Sequence, residues 1–216
     1  MNQPEPNAGE PVSTFVSRGG LKMAHALREF AFDVTDLWAA DFGCSTGGFT
    51  DCLLQAGAAK VVSVDTGYGV LAWKLRQDPR VIVMERSNAL HAAMPQAVTQ
   101  REGGSGVDLV TIDASWTPQR LALPAALKWL RPSGRIISLI KPHYELDANE
   151  KGLLHGGVLD DTVAESVARR TAERVTAIGV RLLALTPSPI RGSHKSKPGT
   201  GNMEWLGLFA PTASSD

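Results

Sequence analysis

An excess of charge of one sign is the first thing missing from this chain. Its 216 residues carry 22 Lys and Arg against 22 Asp and Glu, a formal net charge of zero. No global basic field recruits nucleic acid, so any RNA or DNA contact must come from a local patch. Long hydrophobic runs are missing as well. Nothing approaches the ~20 apolar residues that a membrane helix needs. The opening Met1-Asn-Gln-Pro-Glu-Pro-Asn7 has neither the basic nor the apolar segment of a secretory signal. Cysteine is scarce: the two present, Cys44 and Cys52, are no disulfide framework. They read as ordinary buried thiols in a reducing, cytoplasmic setting, with a redox pair as the alternative. There is no internal repeat and no sign of a second domain. The length suits one large domain with a sizeable core. Neither a membrane nor a metal is an expected partner, and nothing in the sequence specifies an oligomeric state.

What is present is organised around Trp38-Ala-Ala-Asp-Phe-Gly-Cys-Ser-Thr-Gly-Gly-Phe-Thr50. A short apolar run breaks into a loop with Gly43, Gly47 and Gly48, then resumes as a helical pattern over residues 49–56. Strand, glycine turn and helix is how doubly wound α/β sheets bring backbone close to a nucleotide-like ligand. Further apolar runs predict strands at 60–65, 81–85, 107–113, 135–141, 181–186 and 203–209. Helical patterns lie at 23–30, 68–76, 124–130 and 162–178, with Arg131-Pro-Ser-Gly134 closing the third of these. Gly19 and Gly20 fall just before the first, where free backbone N–H groups favour an anionic or polar ligand. Residues 1–13 read as a disordered tail, 14–211 as the domain and 212–216 as a frayed end. The alternation implies a mostly parallel sheet that ends in an antiparallel pair.

The loop lacks the second glycine of the dinucleotide fingerprint, and no phosphate-binding lysine follows it. A purely steric role for its glycines remains an alternative reading. Asp65 closes the next strand about twenty residues on, where a carboxylate can accept hydrogen bonds from ribose hydroxyls. Asn88, after the third strand, can meet an adenine edge. Each alone reads equally well as a turn residue. Together they line the carboxyl edge of neighbouring strands and suit adenosine with a small charged substituent.

Several ordered motifs carry a family resemblance that spans residues 15–209. They are Ser17-Arg-Gly-Gly-Leu-Lys22, Ser45-Thr-Gly-Gly-Phe-Thr-Asp-Cys-Leu-Leu54, Val64-Asp-Thr-Gly-Tyr-Gly69, Leu71-Ala-Trp-Lys-Leu-Arg-Gln-Asp-Pro-Arg80, Asp108-Leu-Val-Thr-Ile-Asp113, Lys141-Pro142, Thr186-Pro-Ser-Pro-Ile190 and Gly201-Asn-Met-Glu204. The chain resembles the TlyA (haemolysin A) branch of the FtsJ-like ribosomal RNA 2′-O-methyltransferases. That resemblance implies a Rossmann-like class I methyltransferase fold of seven strands and S-adenosyl-L-methionine as cofactor. It also implies ribosomal RNA, or a ribosomal subunit, as partner. The family's Lys-Asp-Lys-Glu tetrad maps by motif onto Lys22, Asp113, Lys141 and Glu204. The expected cofactor-binding set is Asp41, Gly43, Ser45, Thr46, Gly47, Gly48, Phe49, Asp65, Asn88 and Asp113. Three features depart from the pattern. Family members usually begin with a small S4-type RNA-binding domain that has no counterpart here. Pro-His-Tyr-Glu follows Lys141 in place of Pro-Gln-Phe-Glu, and Ala-Ser-Trp follows Asp113 in place of Val-Ser-Phe. These departures bear on RNA affinity and target choice.

The implied chemistry is methyl transfer to a ribose hydroxyl, a poor nucleophile until its proton is drawn off. A lysine draws it off only when neutral, and its ordinary pKa of ~10.4 must be lowered by burial or a neighbouring cation. Lys141 is therefore expected as general base and Asp113 as the group that orients it. Lys22 and Glu204 would tune charge and hold the ribose. Expected RNA contacts are Arg18, Lys22, Arg191, His194, Lys195 and Lys197, the last four on a loop at 187–201 that has basic groups and no acid. Trp73, Trp116, Trp129 and Trp205 are expected in the core, with Trp116 the best exception. A catalytically silent protein of the same fold that binds RNA or a partner is the second reading. A membrane-active haemolysin is the third, and no transmembrane run or strongly amphipathic basic helix supports it.

Overall fold

The structure is a computed structural model and describes residues 14–115, 117–192 and 201–212. The expected tail at 1–13, Trp116, His194, Lys195, Lys197 and the last four residues lie outside this set. Seven strands form one sheet: β1 (Trp38–Phe42), β2 (Lys60–Val64), β3 (Val81–Met84), β4 (Val107–Ile112), β5 (Leu130–Ile140), β6 (Val180–Pro187) and β7 (Trp205–Pro211). Their order is β3-β2-β1-β4-β5-β7-β6, parallel through β5, with β7 antiparallel to both its neighbours. This is the expected mostly parallel sheet with antiparallel C-terminal strands.

Alternating side chains give the sheet two apolar faces. On β5, Ile136 and Ile140 join one core cluster with Phe42, Leu123 and Phe209, while Ile137 and Leu139 join the other with Met23, Leu53 and Leu109. A sheet buried on both faces needs helices on both. They are α1 (Gly19–Glu29), α2 (Gly48–Gln55), α3 (Trp73–Arg76), α4 (Gln96–Thr99), α5 (Gln119–Leu127) and α6 (Asp161–Arg174). Each fully buried Leu or Ile stabilises the fold by about 1.5–3 kcal/mol.

Four local expectations need correction. Helix α1 begins at Gly19, so Gly19 and Gly20 lie in its first turn rather than before it. They permit a close approach: a Cβ on Gly48, at the start of α2, would lie 2.8 Å from the Gly20 nitrogen and 3.0 Å from the Gly19 Cα. The helix expected at 68–76 is the single turn of α3, preceded by Gly69 at φ +72°. Helix α5 starts five residues before Pro124 and contains it. A remote group holds that start, since the Gln119 backbone N–H donates to Glu145 Oε1 at 2.8 Å. Finally, residues 131–134 belong to β5, where a register shift between Val107 and Leu109 absorbs them.

Strand order reverses between β1 and β4, which is where open α/β sheets hold ligands. The register pairs Phe42 with both Val64 and Ile112. Gly43, Asp65 and Asp113 therefore stand side by side on one rim. The antiparallel β5–β7 pair matches Ile140 with Trp205, which brings Lys141 and Glu204 together on the same rim from opposite chain directions.

Candidate active site

The loop after β1 turns through Gly43 (φ +82°), Ser45 (φ +48°) and Gly47 (φ +100°). Two of these glycines answer to distinct close approaches. A Cβ on Gly43 would stand 2.9 Å from the Asp113 carbonyl oxygen. One on Gly47 would overlap the Leu71 and Leu75 side chains. Asp65 holds the loop from the side. Its Oδ2 accepts from the Ser45 N–H at 2.8 Å, and its Oδ1 accepts from the Gly67 N–H at 2.7 Å.

Asp41 holds the loop from below. It is 0 % exposed. Its Oδ2 accepts from the Thr50 N–H at 3.0 Å and the Thr50 hydroxyl at 2.7 Å, while the Thr111 hydroxyl donates to Oδ1 at 3.1 Å. Burial pushes its pKa up to about 7, against the pull of those hydrogen bonds. The start of α2 is thus pinned to β1 and β4 by one buried polar cluster, whose groups are all paired.

Two cavities open along this rim and share Gly43, Ser45, Asp113 and Ser115. The first, of about 400 Å³, is walled by Lys22, Asp113, Lys141 and Glu204. Here the side chains form two ion pairs. Lys141 Nζ lies 2.6 Å from Asp113 Oδ1, and Lys22 Nζ lies 2.5 Å from Glu204 Oε2. His143 and Tyr144 close one end, with ring centroids 4.0 Å apart. Burial, reinforced by the Lys141 charge, pushes the His143 imidazole down to about 4. The second cavity, of about 330 Å³, has an apolar floor of Phe42, Val64, Ile112 and Ala122, with Asp65 and Asn88 at its edge. A cavity lined by both apolar and polar side chains, continuous with a lobe of paired charges, suits a ligand with an aromatic end and a reactive end.

Residues 15–197 match the model of the family described as FtsJ-like methyltransferase. The chain belongs to that family. Over 199 residues it is 42 % identical to the putative rRNA methyltransferase YqxC of Bacillus subtilis, covering 92 % of this chain and 66 % of the relative. It is 40 % identical over 194 residues to the 16S/23S rRNA (cytidine-2′-O)-methyltransferase TlyA of Mycobacterium tuberculosis, covering 89 % and 67 %. The chain thus spans about two thirds of the length of these relatives. A solved putative hemolysin from Streptococcus thermophilus superposes with a TM-score of 0.81 at 37 % identity, over 95 % of this chain and 70 % of that one.

Within this FtsJ-like domain, the four tetrad positions do converge on one cavity. Thr46, Gly48 and Phe49 line that cavity too, and Gly43, Ser45 and Asp113 line both. Four expected ligand residues have other work. Gly47 faces α3 and lines neither cavity. Asp41 reaches the floor of the first lobe, but its oxygens are committed to Thr50 and Thr111. Asp65 lines the second lobe while bracing the loop. Asn88 lines the second lobe, and its Oδ1 accepts from the Leu90 N–H.

Among the expected RNA contacts, Arg18 stands at the lip of the first lobe as the residue capping α1. Arg191 instead grips Asp161 with both terminal nitrogens, at 2.9 and 2.5 Å. His194, Lys195 and Lys197 are not among the described residues. Trp129 and Trp205 are buried as expected, but Trp73 is 72 % exposed. Both cysteines are free and buried, and burial pushes the Cys52 thiol up to about 12 and Cys44 higher still. Sequence reasoning gave no site role to His143, Tyr144 or Asn202. Their signal was adjacency: the first two follow Lys141-Pro142, and Asn202 sits inside the motif that ends in Glu204.

Proposed function

We propose that this protein transfers the methyl group of S-adenosyl-L-methionine to a ribose 2′-hydroxyl of ribosomal RNA. The observation that carries the reading is the pair of ion pairs facing one lobe, with a second lobe of adenosine size opening directly from it. The apolar floor of Phe42, Val64, Ile112 and Ala122 would hold the adenine, and Asp65 the ribose hydroxyls through its remaining lone pairs. The loop at 43–46 would hold the charged end. When bound, the cofactor supplies an electrophilic methyl.

The remaining work falls to the protein's own side chains. Lys141 is the general base that takes the proton of the attacking hydroxyl. Asp113, 2.6 Å away, keeps that amine aimed into the lobe. The Lys22 ammonium, matched by Glu204, offers a donor to the acceptor ribose without adding net charge. His143, held neutral at physiological pH, and Tyr144 exclude water from one side. Positioning the hydroxyl for in-line attack supplies much of the rate. A ribosomal RNA substrate locates the protein in the cytoplasm.

The test is transfer of labelled methyl to free ribosomal RNA and to ribosomal subunits, with the modified position mapped. Wild type is expected to label a ribose 2′-oxygen. Lys141→Ala is expected to bind the cofactor with unchanged affinity and to transfer no methyl. Label on a base, or normal turnover by Lys141→Ala, overturns the assignment.

A further inference from the structure

Arg191 came forward from the sequence as an RNA contact, and the structure engages it elsewhere. Its guanidinium is bidentate on Asp161, the first residue of α6, and the same Nη1 donates to the Gly201 carbonyl at 3.3 Å. Planar two-point pairing of this kind fixes direction as well as distance. The grip on Gly201 draws together two strands of chain. The Gly192 N–H donates to the Asn202 carbonyl at 3.0 Å. Gly192 and Gly201 touch so closely that a Cβ on Gly201 would overlap the Gly192 carbonyl. Asn202 locks the second strand to the segment before α6: its Oδ1 accepts from the Leu159 N–H at 2.8 Å and its Nδ2 donates to the Gly157 carbonyl at 2.9 Å.

The end of this chain of contacts is the tetrad. Glu204 follows Asn202 by two residues, and its carbonyl accepts from the Ser188 N–H at 2.8 Å. Its carboxylate lies directly against Gly192, where a Cβ would come within 2.8 Å of Oε1. The other oxygen, Oε2, is the one paired with Lys22. Gly192 is therefore the wall that sets how far the Glu204 carboxylate can swing, and Arg191 anchors that wall to α6.

We propose that Arg191, Asp161 and Gly192 form a positioning clamp for the Lys22–Glu204 pair, and that Arg191 acts through this clamp and not as an RNA phosphate contact. The proposal rests on the reading of Glu204 as part of the methyl-transfer site. A misplacement of about 1 Å near reacting groups costs up to about a hundredfold in rate, so a loosened clamp lowers kcat. It leaves the basic groups that meet RNA untouched, so affinity and its salt dependence hold.

The experiment measures kcat at saturating RNA, the RNA dissociation constant at several salt concentrations and the thermal midpoint. The variants are Arg191→Ala, Gly192→Ala, the charge exchange Arg191→Asp with Asp161→Arg, and Lys141→Ala. Arg191→Ala and Gly192→Ala are expected to lower kcat between about tenfold and a hundredfold, with RNA affinity changed less than twofold. The exchanged pair is expected to recover at least half of the kcat lost by Arg191→Ala. Gly192→Ala leaves every charge in place, so a kcat loss there cannot come from lost phosphate contact. Weaker RNA binding with a shallower salt slope and normal kcat in Arg191→Ala overturns the clamp in favour of an RNA contact. Unchanged kcat in Gly192→Ala overturns it too. Full activity in Lys141→Ala overturns the underlying site reading, separately from the clamp.

Discussion

The two lysine–carboxylate pairs of the cleft share a chemistry and differ in how they are housed. Lys22 and Glu204 come from positions 182 apart, and their side chains are 11 % and 4 % exposed. Lys141 and Asp113 sit at the ends of two neighbouring strands, and their side chains are 12 % and 24 % exposed, so the pairs differ at the carboxylate and not at the lysine. The first pair lines the first lobe only and is backed by Gly192. The second opens into both lobes, with Lys141 also within 3.4 Å of the Ala114 carbonyl. A buried ion pair is costly to break because the surviving partner is left as an uncompensated buried charge. A pair at a cavity mouth loses less, since water and ligand can replace either member. Both pairs face the chemistry, and the more buried carboxylate, Glu204, adds the larger weight in the fold.

That contrast can be broken most forcefully at Lys141. Replacement by Ala is expected to cost at least about 10²–10⁴ in methyl-transfer rate, the range for a general base, with a stability change of no more than about 1 kcal/mol by denaturant titration. A large loss of stability would erase the distinction between the pairs. Glu204→Gln should do the reverse in emphasis, leaving the Lys22 charge unmatched and destabilising the protein by about 3–5 kcal/mol. The double change Lys22→Met with Glu204→Leu sharpens the comparison. It is expected to regain most of that stability while remaining inactive.

The third prediction concerns pH. Asp41 holds its proton to about pH 7 in the native protein, against an ordinary value of 3.8 in the unfolded chain. Between those values the native state binds more protons than the unfolded one, so this group's stabilisation is full below about pH 4 and is lost as pH rises to about 7. Glu145, pushed up to about 7 by burial, acts in the same sense, and His143 acts in the opposite sense between about 4 and 6.5. Asp41→Asn is expected to remove the Asp41 part, on the order of 2–4 kcal/mol across that window, as measured by the difference between variant and wild-type stability at pH 4 and pH 8. A difference that does not change with pH would contradict the burial argument. The smallest effect is expected at Trp73. Trp73→Ser should move stability by less than about 0.5 kcal/mol, because the ring is mostly in solvent.

Much of the architecture was legible because it is local. Apolar runs ending in Asp65, Asp113 and Lys141 declared both the strands and the rim they share. The glycine loop declared the strand–turn–helix unit of a doubly wound sheet. Lys22 and Glu204 were legible only through the family's motifs, since neither helix periodicity nor strand alternation marks a lysine or a glutamate as paired across the whole chain. Four features were hidden for a common reason. Glu145 capping α5, Arg191 gripping Asp161, Asp65 bracing Ser45 and Gly47 making room for Leu75 are all tertiary contacts whose partners lie at least twenty residues away in sequence. Pro124 misled in the other direction. Its usual place at a helix start outweighed a cap that arrives from a distant turn. Trp73 was read by residue type alone, and the shortness of α3 leaves it on the outside.

The position of β7 has a consequence in time. The lobe suited to adenosine takes all its walls from residues up to 122, whereas the lobe of paired charges is incomplete until Glu204 is in place. β7, which follows Glu204 directly, lies between β5 and β6, two strands synthesised before it. In order of synthesis, every residue that lines the second lobe therefore precedes Glu204. The lobe of paired charges is thus the last part of the site to be completed in order of synthesis.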